Sequence, residues 1–207
     1  MKLQLALDRL SREDCLAVLR QTAPYIDWIE VGTGVIKEYG TEIITEIRNG
    51  YPDHTIVADM KTCDAGRHEA IQAFEAGADV TTVMAFSADG TICDMIDVAR
   101  SYGTSVMIDL LNVDSAERVK ELSALGADLF GLHNGKDMQA AGDHASASQF
   151  ELVKGIEGRV AVAGGINEDT LPDIAAQKPD IVIVGSAITG AGDPEKAAAR
   201  IKELMGR

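Results

Sequence analysis

Cysteine is scarce: Cys15, Cys63 and Cys93 are the only three in 207 residues, an odd number without metal-type spacing. A disulfide framework and a cysteine metal site are thereby excluded, and reduced thiols in a cytoplasmic protein are expected. No stretch rich in proline, in serine or in charge of one sign divides the chain, so one domain is expected over 1–207. Basic clusters are missing too. With 19 Lys and Arg against 33 Asp and Glu the formal net charge is −14, which excludes a nucleic-acid partner, because phosphate backbones demand a concentrated basic surface. A small anionic substrate stays compatible, since a few backbone N–H groups bind one phosphate locally. Long apolar runs are absent from the start of the chain, where MKLQLALDRL is interrupted by Asp8. Neither a signal peptide nor a spanning helix is expected there, and no membrane partner.

What the chain does contain is ordinary globular material, 46% hydrophobic and 25% charged, enough for a large core. Short apolar runs rich in β-branched residues recur every twenty to thirty residues, at 3–8, 28–33, 55–61, 79–84, 104–110, 128–133, 159–165 and 180–185. Helical patterns fill the gaps, as expected of parallel βα units. Ser11, Asp64, Ser87, Asp114, Ser148, Asp169 and Asp193 are residue types that open helices. Gly77-Ala78-Asp79 recurs as Gly126-Ala127-Asp128, each time closing an alanine-rich helix before a strand. Eight βα units in this length predict an α/β fold, a compact (β/α)8 TIM barrel. An open doubly wound sheet would place a glycine-rich dinucleotide fingerprint after the first strand, where Asp8-Arg9-Leu10-Ser11 stands instead.

Barrel active sites lie at the carboxyl ends of the strands. Here those ends carry Asp8, Glu30, Asp59 with Lys61, Asp109 and His133, followed by Gly164-Gly165-Ile166 and Gly185-Ser186-Ala187. One polar strand end is explained by a cap or a turn. Five among the first six would be costly in one cavity without a cation or a substrate. Side chains alternate along a strand, so Asp59 and Lys61 face the same side, and Asp64 falls in the first turn of the next helix. An ion pair with a helix cap is the plainer reading of that trio. Glu30 and Asp59 offer hard oxygens suited to Mg²⁺, or either could simply pair with Lys61. Lys61, among acids, should stay protonated and stabilise an oxyanion rather than form a Schiff base. His133 is a candidate for proton transfer and opens the glycine-containing segment 134–147, which has room to cover a substrate. His54, His68 and His144 read as surface residues. The glycine turns at strands seven and eight are where barrels most often hold a phosphate, marking Gly164, Gly165, Gly185 and Ser186.

On these residues the chain resembles the orotidine monophosphate decarboxylase superfamily over its whole length. Within it, the chain is similar to the 3-hexulose-6-phosphate synthase and 3-keto-L-gulonate-6-phosphate decarboxylase (KGPDC) families. The signature Asp-x-Lys-x-x-Asp is met by Asp59, Lys61 and Asp64, with Asp8 and Glu30 also where the superfamily has active-site acids. The resemblance implies Mg²⁺ at Glu30 and Asp59, an enediolate stabilised by Lys61, and Asp64 reaching a neighbouring subunit's site across a homodimer. The decarboxylase family typically has arginine three residues after the histidine, another after the strand-eight glycine, and glutamate at the position of Asp109. This chain has Lys136, Ser186 and Asp109, which implies the synthase activity: aldol addition of formaldehyde to D-ribulose 5-phosphate, with His133, Asp59 or Asp109 as base. A sugar-phosphate-binding barrel without turnover is the competing class. It would have no need of Asp8, Glu30, Asp59, Lys61 and Asp64 together.

Overall fold

Strands buried on both faces call for mainly apolar side chains, and the eight β-branched runs supply them over most of their length. In the computed structural model, which describes residues 1–140 and 145–206, they form β1 (Lys2–Leu7), β2 (Trp28–Val31), β3 (Thr55–Thr62), β4 (Val80–Met84), β5 (Ser105–Asp109), β6 (Leu129–His133), β7 (Arg159–Ala163) and β8 (Ile181–Val184). All pair in parallel with their sequence neighbours, and β8 returns to β1, closing the barrel. The intervening helices are α1 (Arg12–Thr22), α2 (Thr33–Tyr39), α3 (Glu42–Gly50), α4 (Gly66–Glu75), α5 (Asp89–Tyr102), α6 (Ala116–Ala124), α7 (Lys136–Ala140), α8 (Leu171–Ala176), α9 (Ser186–Thr189) and α10 (Pro194–Met205). The fold expected from the periodicity is thus the one observed.

One side-chain set from each strand packs outward against the helices, and the other fills the barrel. The inward set at the amino end is apolar: Trp28, Val80, Leu129 and Ile181 from even strands, with Val57, Met107 and Ala161 from odd ones. Alternation then carries the same inward face to Glu30, Asp59, Thr82, Asp109 and His133 at the carboxyl end. At the opposite end, carboxylates preceding strands close the edge of the sheet. Asp27, Asp79 and Asp180 accept from the backbone N–H groups of Leu3, Ile56 and Val160 at 2.7 to 2.8 Å. Charge at that end satisfies the backbone.

The repeated Gly-Ala-Asp turns are built identically. Gly77 and Gly126 have φ of 103° and 99°, and the next residue's N–H reaches back to Ala73 and Leu122. Ser11 and Asp193 cap α1 and α10 as expected. Asp64, Ser87, Asp114 and Asp169 each stand one residue before the true cap, namely Ala65, Ala88, Ser115 and Thr170. Their side chains have other work: Asp64 accepts from the Ala65 N–H, and the Ser87 hydroxyl donates to the Thr62 carbonyl. Ser148 lies inside a 3₁₀ turn, Ala147–Val153, capped by Ser146 and Gln149 in a reciprocal box.

Candidate active site

At the carboxyl mouth lies a cavity of about 410 Å³. Its lining includes Asp8, Glu30, Asp59, Lys61, Asp109, His133, Gly164, Gly165, Gly185 and Ser186, every expected site residue except Asp64. Asp64 is exposed outside this cavity. The segment after His133 contributes Gly135 and Lys136 to the lining and forms α7; residues 141–144, His144 among them, lie outside the described residues. His68 is exposed as expected, whereas His54 is half-buried, with Nε2 3.1 Å from the Ala23 carbonyl and its ring edge-on to Tyr51.

Lys61 stands at the centre. Its Nζ donates to Asp109 Oδ2 at 2.6 Å and lies 3.1 Å and 3.2 Å from the two carboxylate oxygens of Asp59. Burial opposes its charge, but Asp59 and Asp109 outweigh burial and hold its pKa above the ordinary lysine value. Strand alternation alone does not describe its placement. Between Ala58 and Thr62 the register of β3 against β4 shifts, a β-bulge, and Lys61 takes a left-handed backbone with φ of 48°. The ladder partner it loses is replaced by a side chain: the Lys61 N–H donates to Thr82 Oγ at 2.8 Å, and that hydroxyl donates to Asp59 Oδ1 at 2.8 Å. Thr33 closes the other side of Asp59, 2.7 Å from Oδ2. Neither threonine stood out in the sequence, because threonine is an ordinary strand and helix-start residue. A charged strand end with threonines facing it was the available signal.

Asp109 is buried, 4% exposed, and burial raises its carboxyl; His133 and Lys61 more than reverse this and bring it to about 2. Its Oδ1 also accepts the Leu111 N–H at 2.9 Å. His133 Nδ1 sits 3.1 Å from both of its oxygens. An ionised carboxylate only accepts, so Nδ1 carries a proton, and Nε2 is the nitrogen left to bear a lone pair whenever the ring holds only that one.

The remaining acids are poorly compensated. Glu30, 8% exposed, accepts from Gln4 Nε2 at 2.5 Å, and burial, then Asp59 and Asp8, push its carboxyl well above the usual range. Burial and then Asp59 raise Asp8 as well. Beside them, Oε1 of the fully buried Gln4 has no partner among the described residues. Hard anionic oxygens that no salt bridge reaches suit a divalent cation that takes few protein ligands and keeps several waters. Among the described residues no cluster of three or more His, Cys, Asp or Glu stands ready to hold a metal ion.

Two glycines here are demanded by space. A Cβ on Gly164, whose φ is 122°, would fall 2.7 Å from Asn134 Cβ, and one on Gly32 would fall 2.1 Å from Asp8 Oδ1. Beyond β8, Gly185 precedes the short α9, so the seventh and eighth strand ends bring glycines and no charged side chain to the lining. The three cysteines are free, and no helix among the described residues is long and apolar enough to cross a membrane.

The chain is 42% identical over 207 residues to a 3-hexulose-6-phosphate synthase from Methylomonas aminofaciens, covering 97% of each. The crystal structure of 3-hexulose-6-phosphate synthase from Salmonella typhimurium superposes with a TM-score of 0.96 at 38% identity, over 99% of this chain and 98% of that one. KGPDC from Streptococcus mutans, solved in complex with a ligand, superposes with a TM-score of 0.94 at 26% identity, over 100% and 97%. Residues 1–201 match the model of the orotidine 5'-phosphate decarboxylase / HUMPS family. With full-length relatives, a closed eight-stranded barrel and an acid and lysine cluster at its mouth, the chain belongs to that family.

Proposed function

We propose that the chain is a lyase of the aldehyde-lyase type, a 3-hexulose-6-phosphate synthase that adds formaldehyde to D-ribulose 5-phosphate through an enediolate. The observation that carries this reading is the junction, in one cavity, of the Lys61, Asp109 and His133 network with the glycine turns after β7 and β8. A phosphate held at Gly164, Gly165, Gly185 and Ser186 sets the sugar's reactive carbons against the charged residues, turning a bimolecular encounter into an oriented one.

His133 Nε2 removes the proton from the carbon beside the ketone. Asp109 supports this role, because a carboxylate held to about 2 is a poor base but a firm acceptor for Nδ1–H. Asp59 is less available for that step, with Thr33, Thr82 and Lys61 all engaging its oxygens. Lys61, held cationic, stabilises the oxyanion as it develops. Glu30 and Asp59 would hold Mg²⁺, which when bound supplies Lewis-acid polarisation of the substrate's ketone and hydroxyl oxygens. The enediolate carbon attacks formaldehyde, forming the new C–C bond, and the resulting alkoxide takes up a proton.

Asp64 acts on a neighbouring copy's site in a homodimer, a role suited to an exposed carboxylate outside its own cavity. The three free thiols suit a cytoplasmic setting. The likeness to KGPDC keeps decarboxylation as the second reading, with the same enediolate reached by CO₂ loss; Asp109, Lys136 and Ser186 favour the synthase. The test is direct. With Mg²⁺, the protein should consume ribulose 5-phosphate and formaldehyde together, lose that activity to a chelator, and give no borohydride-trapped Lys61 adduct. Release of CO₂ from 3-keto-L-gulonate 6-phosphate without formaldehyde consumption would replace the synthase by the decarboxylase.

A further inference from the structure

In a chain with 33 acidic and 19 basic residues, a surface lysine or arginine readily finds a carboxylate. Among the described residues six do not: Arg9, Arg20, Lys37, Lys136, Arg159 and Lys178 have no carboxylate within ion-pair distance. Half of them, Arg9, Lys37 and Lys136, line the cavity just described, although no constraint of the fold gathers cations there.

Their positions around the barrel are ordered. In the closed sheet β6, β7, β8, β1 and β2 are consecutive. Lys136 follows β6, the glycine turns follow β7 and β8, Arg9 follows β1, and Lys37 lies on α2 after β2. The neutral cradle is therefore flanked by cations on both sides. Lys136 Nζ already touches it, 3.4 Å from Ser186 Oγ. The vertical order is equally clear: Arg9, Lys37 and Lys136 are exposed, while Glu30, Asp59 and Asp109 are buried beneath them. Arg9 also holds a left-handed backbone, φ 52°, in the turn immediately after Asp8.

This arrangement answers an electrostatic problem. A phosphate dianion approaching a mouth that contains four carboxylates, on a chain of net charge −14, is repelled unless cations stand at the entrance. Neutral glycine N–H groups fix the phosphate's position but carry no full charge. We infer that Arg9 and Lys37, with Lys136 across the glycine turns, form a cationic rim that binds the substrate's phosphate dianion and sets the preference for phosphorylated over unphosphorylated ketoses. The inference rests on the sugar-phosphate reading of the site.

Arg9→Asn and Lys37→Gln test it, singly and combined; both positions are exposed, and asparagine tolerates the left-handed backbone at residue 9. Charge-assisted contacts of this kind are worth roughly tenfold or more each. The double variant should raise KM for ribulose 5-phosphate by about tenfold to a hundredfold, with most of the loss in KM and not in kcat. The calorimetric Kd for inorganic phosphate should rise in parallel, and the advantage of ribulose 5-phosphate over ribulose should shrink. A double variant with unchanged KM and phosphate Kd overturns the rim, as does a loss confined to kcat. Wild-type protein that binds phosphate through these residues but consumes no formaldehyde refutes the synthase reading and sustains the rim.

Discussion

Replacing Glu30 by glutamine should stabilise the metal-free protein while removing its activity. Glu30 is buried, 8% exposed, and its hydrogen-bond partner is the neutral amide of Gln4. Lys61 is engaged by Asp59 and Asp109, so it does not neutralise Glu30 by direct contact. The native state thus carries an undercompensated carboxylate, which glutamine replaces at nearly equal volume without the charge. Its amide also brings a donor to the neighbourhood of Gln4 Oε1, which has no partner among the described residues. A recovered hydrogen bond and the relief of like-charge repulsion together amount to about 1 to 2 kcal/mol. For a chain of this size that is a Tm increase of roughly 2 to 8 °C.

The pH dependence has a definite sign. Burial, then Asp59 and Asp8, raise the folded carboxyl above its ordinary value of 4.5, so the native state binds the proton more tightly than the unfolded chain does. That contribution to stability is complete below about 4.5 and is lost as pH rises through the raised folded value. The stability gap between Glu30→Gln and wild type should therefore be widest at pH 8 and narrow toward pH 5, where the wild-type carboxyl is increasingly protonated. Circular-dichroism melts in a chelator at both pH values measure it. Saturating Mg²⁺ should reverse the order, stabilising wild type by about 2.7 kcal/mol at a hundred times Kd and the variant far less. A variant that melts at or below wild type at pH 8 in chelator would refute the reasoning, because Glu30 would then be stabilising in its own right.

Asp109→Asn should lower kcat by roughly 10³ to 10⁴, since an amide no longer dictates which nitrogen of His133 carries the proton; steady-state kinetics showing more than about a tenth of wild-type turnover would count against it. Thr82→Val should leave the Lys61 N–H unpaired and release one side of Asp59, costing about 1 to 3 kcal/mol in denaturant unfolding, with Thr82→Ser restoring most of it. Lys61→Ala and Asp64→Asn should each be inactive as homodimers. Refolded together in equal amounts they should recover about one quarter of wild-type turnover, because half the dimers then hold one intact site. No recovery, with mixed dimers confirmed by mass, would remove Asp64 from the partner's site.

The barrel was legible because strands covered on both sides leave a plain record: eight apolar, β-branched runs at regular spacing, each within a few residues of an observed strand. The acids were legible for the same reason, since a carboxylate closing such a run has few structural excuses. Helix starts were less so. Asp, Ser and Asn serve turns and caps alike, so four expected caps fell one residue early. Thr33, Thr82 and Gln4 escaped notice although they organise the charged residues. Threonine within VTTVM is what any strand would carry, but a glutamine inside LQLAL was an anomaly with a meaning: it is fully buried and bonded to Glu30. The bulge in β3 had no sequence mark, because TIVADMKT reads as one uninterrupted strand.

That bulge decides how the Asp59 and Lys61 pair is to be understood. A left-handed lysine in a strand costs of order 1 to 3 kcal/mol and persists only where its surroundings fix it. Here they do so at both ends, Thr82 taking the backbone N–H while Asp59 and Asp109 hold Nζ. If the cluster were only an ion pair, one acid would suffice and the others would be placed at a loss. Instead Lys61 is shared between Asp59 and Asp109, which leaves Glu30 and Asp8 with raised carboxyls and no salt bridge among the described residues. The ion-pair reading is therefore correct for two acids and insufficient for four. The uncompensated remainder is what a divalent cation would neutralise, and it is the quantity that the Glu30→Gln melts measure with and without Mg²⁺.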